Sequence, residues 1–482
     1  EGGGAVRIEA SGTVTINGTI TADGAGSTSY GYGGGAGGGI YITCTTFGGT
    51  TNGLIQARGG TPANSGWYSG GGGGGRIAVN YTNLASPHAV RLSARAATGG
   101  FAESYPDILW PYASEDGTVW LPDTNLLSGA MSDGLFGGCR LVIPGFTSWS
   151  LANLAISNCS FRLPGDGFQL TVQNDLLIGS AGGLALGSTN GYSLIQVGRD
   201  LTVTGGTLSV HSGSNTADGC GAEVRVGRNL LIGTSSWLQV YSHPTNGGSV
   251  FVSAAGLTVK AGGGINANAK GYAPALGSGA GSGTWHSSGA GYGGKGGNAN
   301  TGVSGLPGGQ TYGFTNAPPG PGSGGGGVRG GYGGGYVHME IGGPAVLSGT
   351  ISANGGQATS YGYGGGSGGA IFLKCREFRG AATGLLRANG DNPNLSGGSH
   401  SGGGGGGRVA VWHGDIDKGV IAKILTDPDN PRVRPGLVWS NSAPLYLGTS
   451  WATNGLGWSN GIPGTINFMS IRASMGTLFL AH

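Results

Sequence analysis

The chain has 482 residues and a formal net charge of +3, with only 9 % charged side chains but 113 glycines. Ordinary domains carry roughly a quarter charged residues and about 7 % glycine, so an average globular composition is excluded, and the lack of a Gly-X-Y period with only 20 prolines excludes collagen. No basic cluster offers a footprint for nucleic acid or anionic lipid, and no apolar run approaches the roughly 20 residues of a membrane helix. Neither a nucleic-acid partner nor a membrane span is therefore expected. With 37 % hydrophobic residues, many in alternating runs, a packed core is within reach.

In chain order, residues 5–24 read AVRIEASGTVTINGTITADG. Val6, Ile8, Val14, Ile16 and Ile20 alternate with polar residues, the period of a strand with one buried face. The pattern returns at 249–268 and 336–355. Between these lies a second series: VQNDLLI at 172, VGRDLTV at 197, VGRNLLI at 226 and VSAAGLTV at 252. Their starts are 25, 29 and 26 residues apart, the period of a stacked solenoid. No ten-residue stretch has a capped helical period. The fold class expected is therefore all-β, a parallel β-helix whose rungs each contribute two or three strands, paired at about 4.8 Å.

The longest repeat spans Tyr30–Arg76. YGYGGGAGGGIYITC at 30–44 returns as YGYGGGSGGAIFLKC at 361–375, and SGGGGGGRIAV at 69–79 returns as SGGGGGGRVAV at 401–411. The offset is 331 and then 332 residues, so the solenoid is expected to be built from tandem units of that length. The first copy lacks the GSGGGGVRGGYGG that precedes the second, so the chain is expected to continue upstream. Six consecutive glycines ordinarily mean a flexible linker. Here the run length is the same in both copies, tyrosines recur inside the glycine-rich stretches, and each run leads straight into a strand. Order is expected instead, with side-chain-free backbones lying side by side in extended or polyproline-II form.

This divides the chain into a glycine-rich solenoid module (1–83), a variable connection (84–138), solenoid rungs (139–270), a glycine-rich insert (271–335), the second module (336–415), and a further connection with the start of the next unit (416–482). Cys139 and Cys159 are 20 residues apart, about one solenoid turn, and could stack and bridge or remain buried thiols. No C-x-x-C, metal-ligand spacing or calcium repeat occurs, and no cofactor is expected.

With the strand–glycine-turn modules, the GGGGGGR(I/V)AV runs and the long repeat, the chain resembles large glycine-rich bacterial surface proteins of the pectin-lyase-like parallel β-helix type. Its polyglycine stretches also resemble those of phage tail-tip adhesins. Both resemblances imply extracellular structure or attachment, and neither supplies a catalytic residue. The first expectation is an extracellular structural repeat of a fibre, filament or stalk that associates with further units of its own kind. Tyr30, Tyr32, Tyr361 and Tyr363 are candidate inter-chain or recognition contacts. The alternative is a glycan-binding adhesin, with Trp67 and Tyr68 in a loop that differs between the copies. A polysaccharide-degrading enzyme would need paired carboxylates. Asp415 with Asp417 and Glu115 with Asp116 are the candidates, but Thr82 stands where Asp415 would align, so no catalysis is expected.

Overall fold

The structure is a computed structural model and describes residues 1–29, 32–63, 69–98, 114–214, 220–300, 305–394, 400–414, 418–429 and 437–473. The chain forms two compact units, Glu1–Gly213 with Ser235–Leu238, and Ser214–Thr234 with Gln239–His482. Both are parallel β-solenoids.

In the first unit, the strands Ala5–Glu9, Gly39–Gly49, Arg76–His88, Thr118–Trp120, Gly137–Val142, Ser160–Leu163, Gly183–Leu186 and Thr207–His211 pair side by side in that order. Further faces are built by Leu154–Ile156, Leu176–Ile178 and Leu201–Val203, by Ser148–Leu151, Gln169–Val172 and Ser193–Val197, and by Thr19–Thr21, Leu54–Gln56 and Arg91–Ser93. In the later rungs register partners lie 23–25 residues apart, as for Ser160 with Gly183 and Leu176 with Leu201. The recurring heptapeptides stack in register, Val172 on Val197 and Ile178 on Val203. Alternation places one side of each strand inside: Ile40, Ile77, Val119 and Leu141 form a buried column across four rungs. Each such side chain contributes about 1.5–3 kcal/mol by leaving water. Residues 84–98 and 114–138 carry strands of this solenoid, with Leu92, Val119 and Leu121 in its core.

In the second unit, Cys220–Ile232, Ser249–Val259, Tyr336–Leu347, Ala370–Arg379, Arg408–Gly414 and Thr465–Ala473 form one parallel face, and Leu437–Asn441 adds to its end antiparallel. Gly264–Asn266, Thr350–Ser352, Leu385–Arg387 and Thr449–Trp451 form another. Val224, Val252, Met339, Leu373 and Val411 make its buried column. The opposite side of these strands is covered too. Tyr336, Phe372, Trp412 and Met469 pack with Tyr292, Ala317 and Ile424, and the Trp412 indole N–H donates to the Asn316 carbonyl at 2.8 Å. Ile424 belongs to a helix, Lys418–Leu425, where the sequence pattern pointed to none. Eight residues are too few for a ten-residue periodicity to register.

A bridge between Cys139 and Cys159 does not form: both are buried free thiols. Gly137 faces Ser160 and Arg140 faces Arg162 across a bulge, so the two cysteines are out of register with each other, whereas a disulfide needs Cβ atoms about 3.5–4.5 Å apart. Burial raises both thiols, Cys159 to about 11, which keeps them protonated and unreactive at neutral pH.

His338 is buried between the stacked rings of Tyr336 and Phe372, and its Nε2 has no hydrogen-bond partner. Burial, and to a lesser degree the Lys374 ammonium, lowers its pKa to about 3. The unfolded imidazole takes up a proton below about 6.5, so between that pH and about 3 the unfolded state binds more protons and stability falls as pH falls. Urea unfolding of His338→Phe at pH 7 and pH 4 is expected to lose less stability on acidification than the parent, by up to about 1.4 kcal/mol per pH unit. Equal losses in the two proteins would contradict this.

Candidate functional site

The solenoid rungs that carry glycine runs extend into hairpins. In the first unit the chain leaves the rung at Ala22 and returns through 33–38, leaves again at Ala57 and returns through 70–75. The arms of one hairpin bond to each other in antiparallel sense: Gly35 and Gly38 N–H donate to the Ala25 and Ala22 carbonyls, and Gly72 and Gly75 donate to Gly60 and Ala57. Returning arms bond to the next returning arm in parallel sense, Gly34 to Gly70 and Gly37 to Gly73. Partners change side every third residue, which is the three-fold screw of polyproline II. A β-strand, with its two-residue period, would not do this.

Side chains have no room in these arms. A Cβ on Gly34 would run into the Gly60 carbonyl, one on Gly35 into Glu1, one on Gly72 into Gly35 and one on Gly75 into Gly38. Within the first six-glycine run the exceptions are Gly70, with nothing within 4 Å, and Gly73, whose nearest neighbour is Glu115 O at 3.7 Å. They are three residues apart and lie on the open side of the screw.

The second unit repeats this network bond for bond. Gly365 and Gly368 donate to Gly402 and Gly405, Gly366 and Gly369 to Gly356 and Ala353, and Gly404 and Gly407 to Asp391 and Ala388. Here the insert adds a further layer. Gly297 and Gly294 N–H donate to Gly403 and Gly406, and a Cβ on Gly402 or Gly405 would meet the Gly297 or Gly294 carbonyl. All six glycines of 402–407 are thus enclosed by backbone. Arg408, which follows the run, is buried and donates to the Tyr312 carbonyl at 2.9 Å and to the Thr315 hydroxyl at 3.0 Å. Its counterpart Arg76 is exposed.

Where strand passes into glycine arm, an asparagine ladder marks the corner. Asn268 Oδ1 accepts from Asn354 N–H at 2.8 Å, Asn354 Oδ1 from Asn389 N–H at 2.9 Å, and Asn389 Oδ1 from Thr453 N–H at 2.9 Å. Asp23 serves Arg58 N–H in the same way in the first unit. Each side chain satisfies a backbone donor that the ladder of strand bonds has just released.

The far turns of the second unit's hairpins bring aromatic side chains together. Tyr361 meets Trp285 at 5.4 Å between ring centroids and Tyr363 meets it at 6.3 Å, both edge to face. The rings of His286 and His400 are 5.4 Å apart, and Trp458 stands 5.8 Å from His400. Of the residues singled out from sequence, Tyr361 and Tyr363 thus enter one cluster, and Tyr32 is 67 % exposed on the first unit. Tyr30, Trp67 and Tyr68 lie outside the described residues, as do Asp415 and Asp417. Glu115 pairs with Arg140 at 3.0 Å on the surface, and Asp116 accepts from Ala96 N–H at 2.8 Å, so each has a structural partner. Among the described residues no group of potential metal ligands converges. Sequence reasoning passed over Trp285, His286 and Trp458. The available signal was a bulky ring inside small-residue stretches, GTWHSSG and GLGWSNG.

Comparison of the chain with protein-family models, with curated proteins and with solved structures finds no match in any of the three. Two predictions follow from the geometry itself. In hydrogen exchange, the amides of Gly72, Gly74 and Gly75, which donate to Gly60, Glu115 and Ala57, are expected to be protected while Gly70 exchanges freely; uniform fast exchange across 70–75 would mean a loose loop. Gly362 has φ +87°, and a Cβ there would lie 2.9–3.1 Å from the Trp285 indole. Gly362→Ala is expected to destabilise by about 1–2 kcal/mol and to change the near-ultraviolet circular dichroism of the aromatic cluster. Gly320→Ala, with open space around it, should leave that spectrum unaltered.

Proposed function

We propose that the chain is a structural repeat unit of an extracellular fibre, filament or stalk on a bacterial surface, associating with further units of its own kind. The observation that carries this reading is the recurrence of one backbone hydrogen-bond network in both copies, down to the partner of each glycine N–H. Selection on a single specialised site would favour divergence of one copy, whereas a solenoid gains length by duplicating a unit that stacks on its neighbours. Low charge supports the same reading, because 9 % charged residues leave little electrostatic repulsion between chains laid side by side. Catalysis forms no part of it. The hairpin turns, where the copies differ most, leave room for recognition on the same frame.

Negative-stain electron microscopy of the purified protein, and of the cells that make it, tests the proposal. Regular filaments wider than one solenoid are expected. Monomers at every concentration, with no filament on the cells, would overturn it.

A further inference from the structure

The aromatic cluster at the turns of the second unit has properties that the structural role does not require. Trp285 is 47 % exposed, Tyr361 47 % and Trp458 50 %. Large aromatic side chains in a soluble chain normally bury most of their surface, and here three from separate hairpins are exposed in one group. The backbone that presents them is held in unusual conformations. His286 itself is left-handed at φ +51°, Gly283 has φ +105° and Gly362 has φ +87° with its Cα against the Trp285 ring. Left-handed backbone at a non-glycine residue is uncommon and concentrates at functional sites.

We propose that this cluster is a binding site for a neutral saccharide, whose pyranose faces stack on Trp285 and Trp458. The chemistry is that of a sugar: apolar C–H faces ringed by hydroxyls. The rings supply the first requirement, since Trp285 with Tyr361 and Trp458 with His400 meet at interplanar angles of 84° and 89°, forming corners of face and edge. The imidazoles and the Tyr361 phenol supply the second. His286 Nδ1 accepts the His400 backbone N–H at 3.0 Å, which places the neutral ring's proton on Nε2 and makes that nitrogen a donor. None of Trp285, His286, Tyr361, Tyr363, His400 and Trp458 takes part in an ion pair or a cation–π contact among the described residues. That favours a neutral ligand over a uronic or sulfated one. Size argues against a second protein. Three half-exposed aromatics offer on the order of 100 Å² each, well below the roughly 800 Å² per partner of a stable protein interface, but enough to cover a few sugar rings.

The inference is independent of the fibre reading, and its test uses the full chain. Tryptophan fluorescence would be followed on titration with cellohexaose, laminarihexaose and chitohexaose, with oligogalacturonate as an acidic control. Saturable binding of at least one neutral oligosaccharide is expected, weakened at least tenfold in Trp458→Ala and in Trp285→Ala and kept within a few-fold in Tyr32→Phe. Circular dichroism would confirm that the variants fold, and the more exposed Trp458 keeps the test decisive if Trp285→Ala does not. Absence of binding by all three neutral probes, preference for the acidic one, or undiminished binding in Trp458→Ala would overturn the proposal. So would a concentration-dependent dimer in sedimentation that Trp458→Ala abolishes.

Discussion

What the rest of the molecule depends on is the missing Cβ in the glycine arms. Fixing one residue's backbone costs about 1–2 kcal/mol, more for glycine, and a hydrogen bond returns only about 0.5–1.5 kcal/mol net. An isolated polyglycine hairpin would therefore stay disordered. The arms are ordered because each lies among several others, so most N–H groups find a carbonyl and the backbones touch where side chains would have stood. The solenoid supplies what the arms lack. Its Ile, Leu and Val columns fix the positions from which each arm departs, and the asparagine ladder carries the hydrogen bonding around the corner.

The two parts obey different periods. In the solenoid a two-residue alternation sorts apolar from polar residues, and register follows from it. In the arms a three-residue screw decides which positions tolerate a side chain, and it leaves Gly70 and Gly73 open while Gly402 and Gly405, their counterparts, are closed by the insert. The same run of six is thus partly solvated in one unit and enclosed in the other. The enclosed case accounts for the run length, because there no position admits even an alanine without displacing backbone.

This distinction also governs how much could be read from the sequence. The rungs were legible because alternation is a local signal: Val172 over Val197 and Leu176 over Leu201 follow from spacing alone. The ordered state of the glycine runs was legible only through their repetition, since glycine itself carries no pattern of burial. Which arm bonds to which was not legible, because the partners are backbone groups common to every residue. The disulfide failed on register, which a bulge at Gly137–Arg140 shifts without any mark in the spacing of Cys139 and Cys159. The aromatic cluster was half legible. Tyr361 and Tyr363 stood out by recurrence, but Trp285 and Trp458 occur without a counterpart and meet them only because hairpins of different rungs end at the same level within the second unit.

Comparing two alanine substitutions two residues apart tests the central claim directly, that glycine is required by backbone packing and not by flexibility. Gly70→Ala faces open space, while the Cβ of Gly72→Ala would meet the Gly35 carbonyl. By thermal or urea unfolding, the account predicts that Gly70→Ala is neutral or stabilising by up to about 1 kcal/mol through the unfolded state, and that Gly72→Ala destabilises by more than about 2 kcal/mol through overpacking. Equal, small effects at the two positions would contradict it.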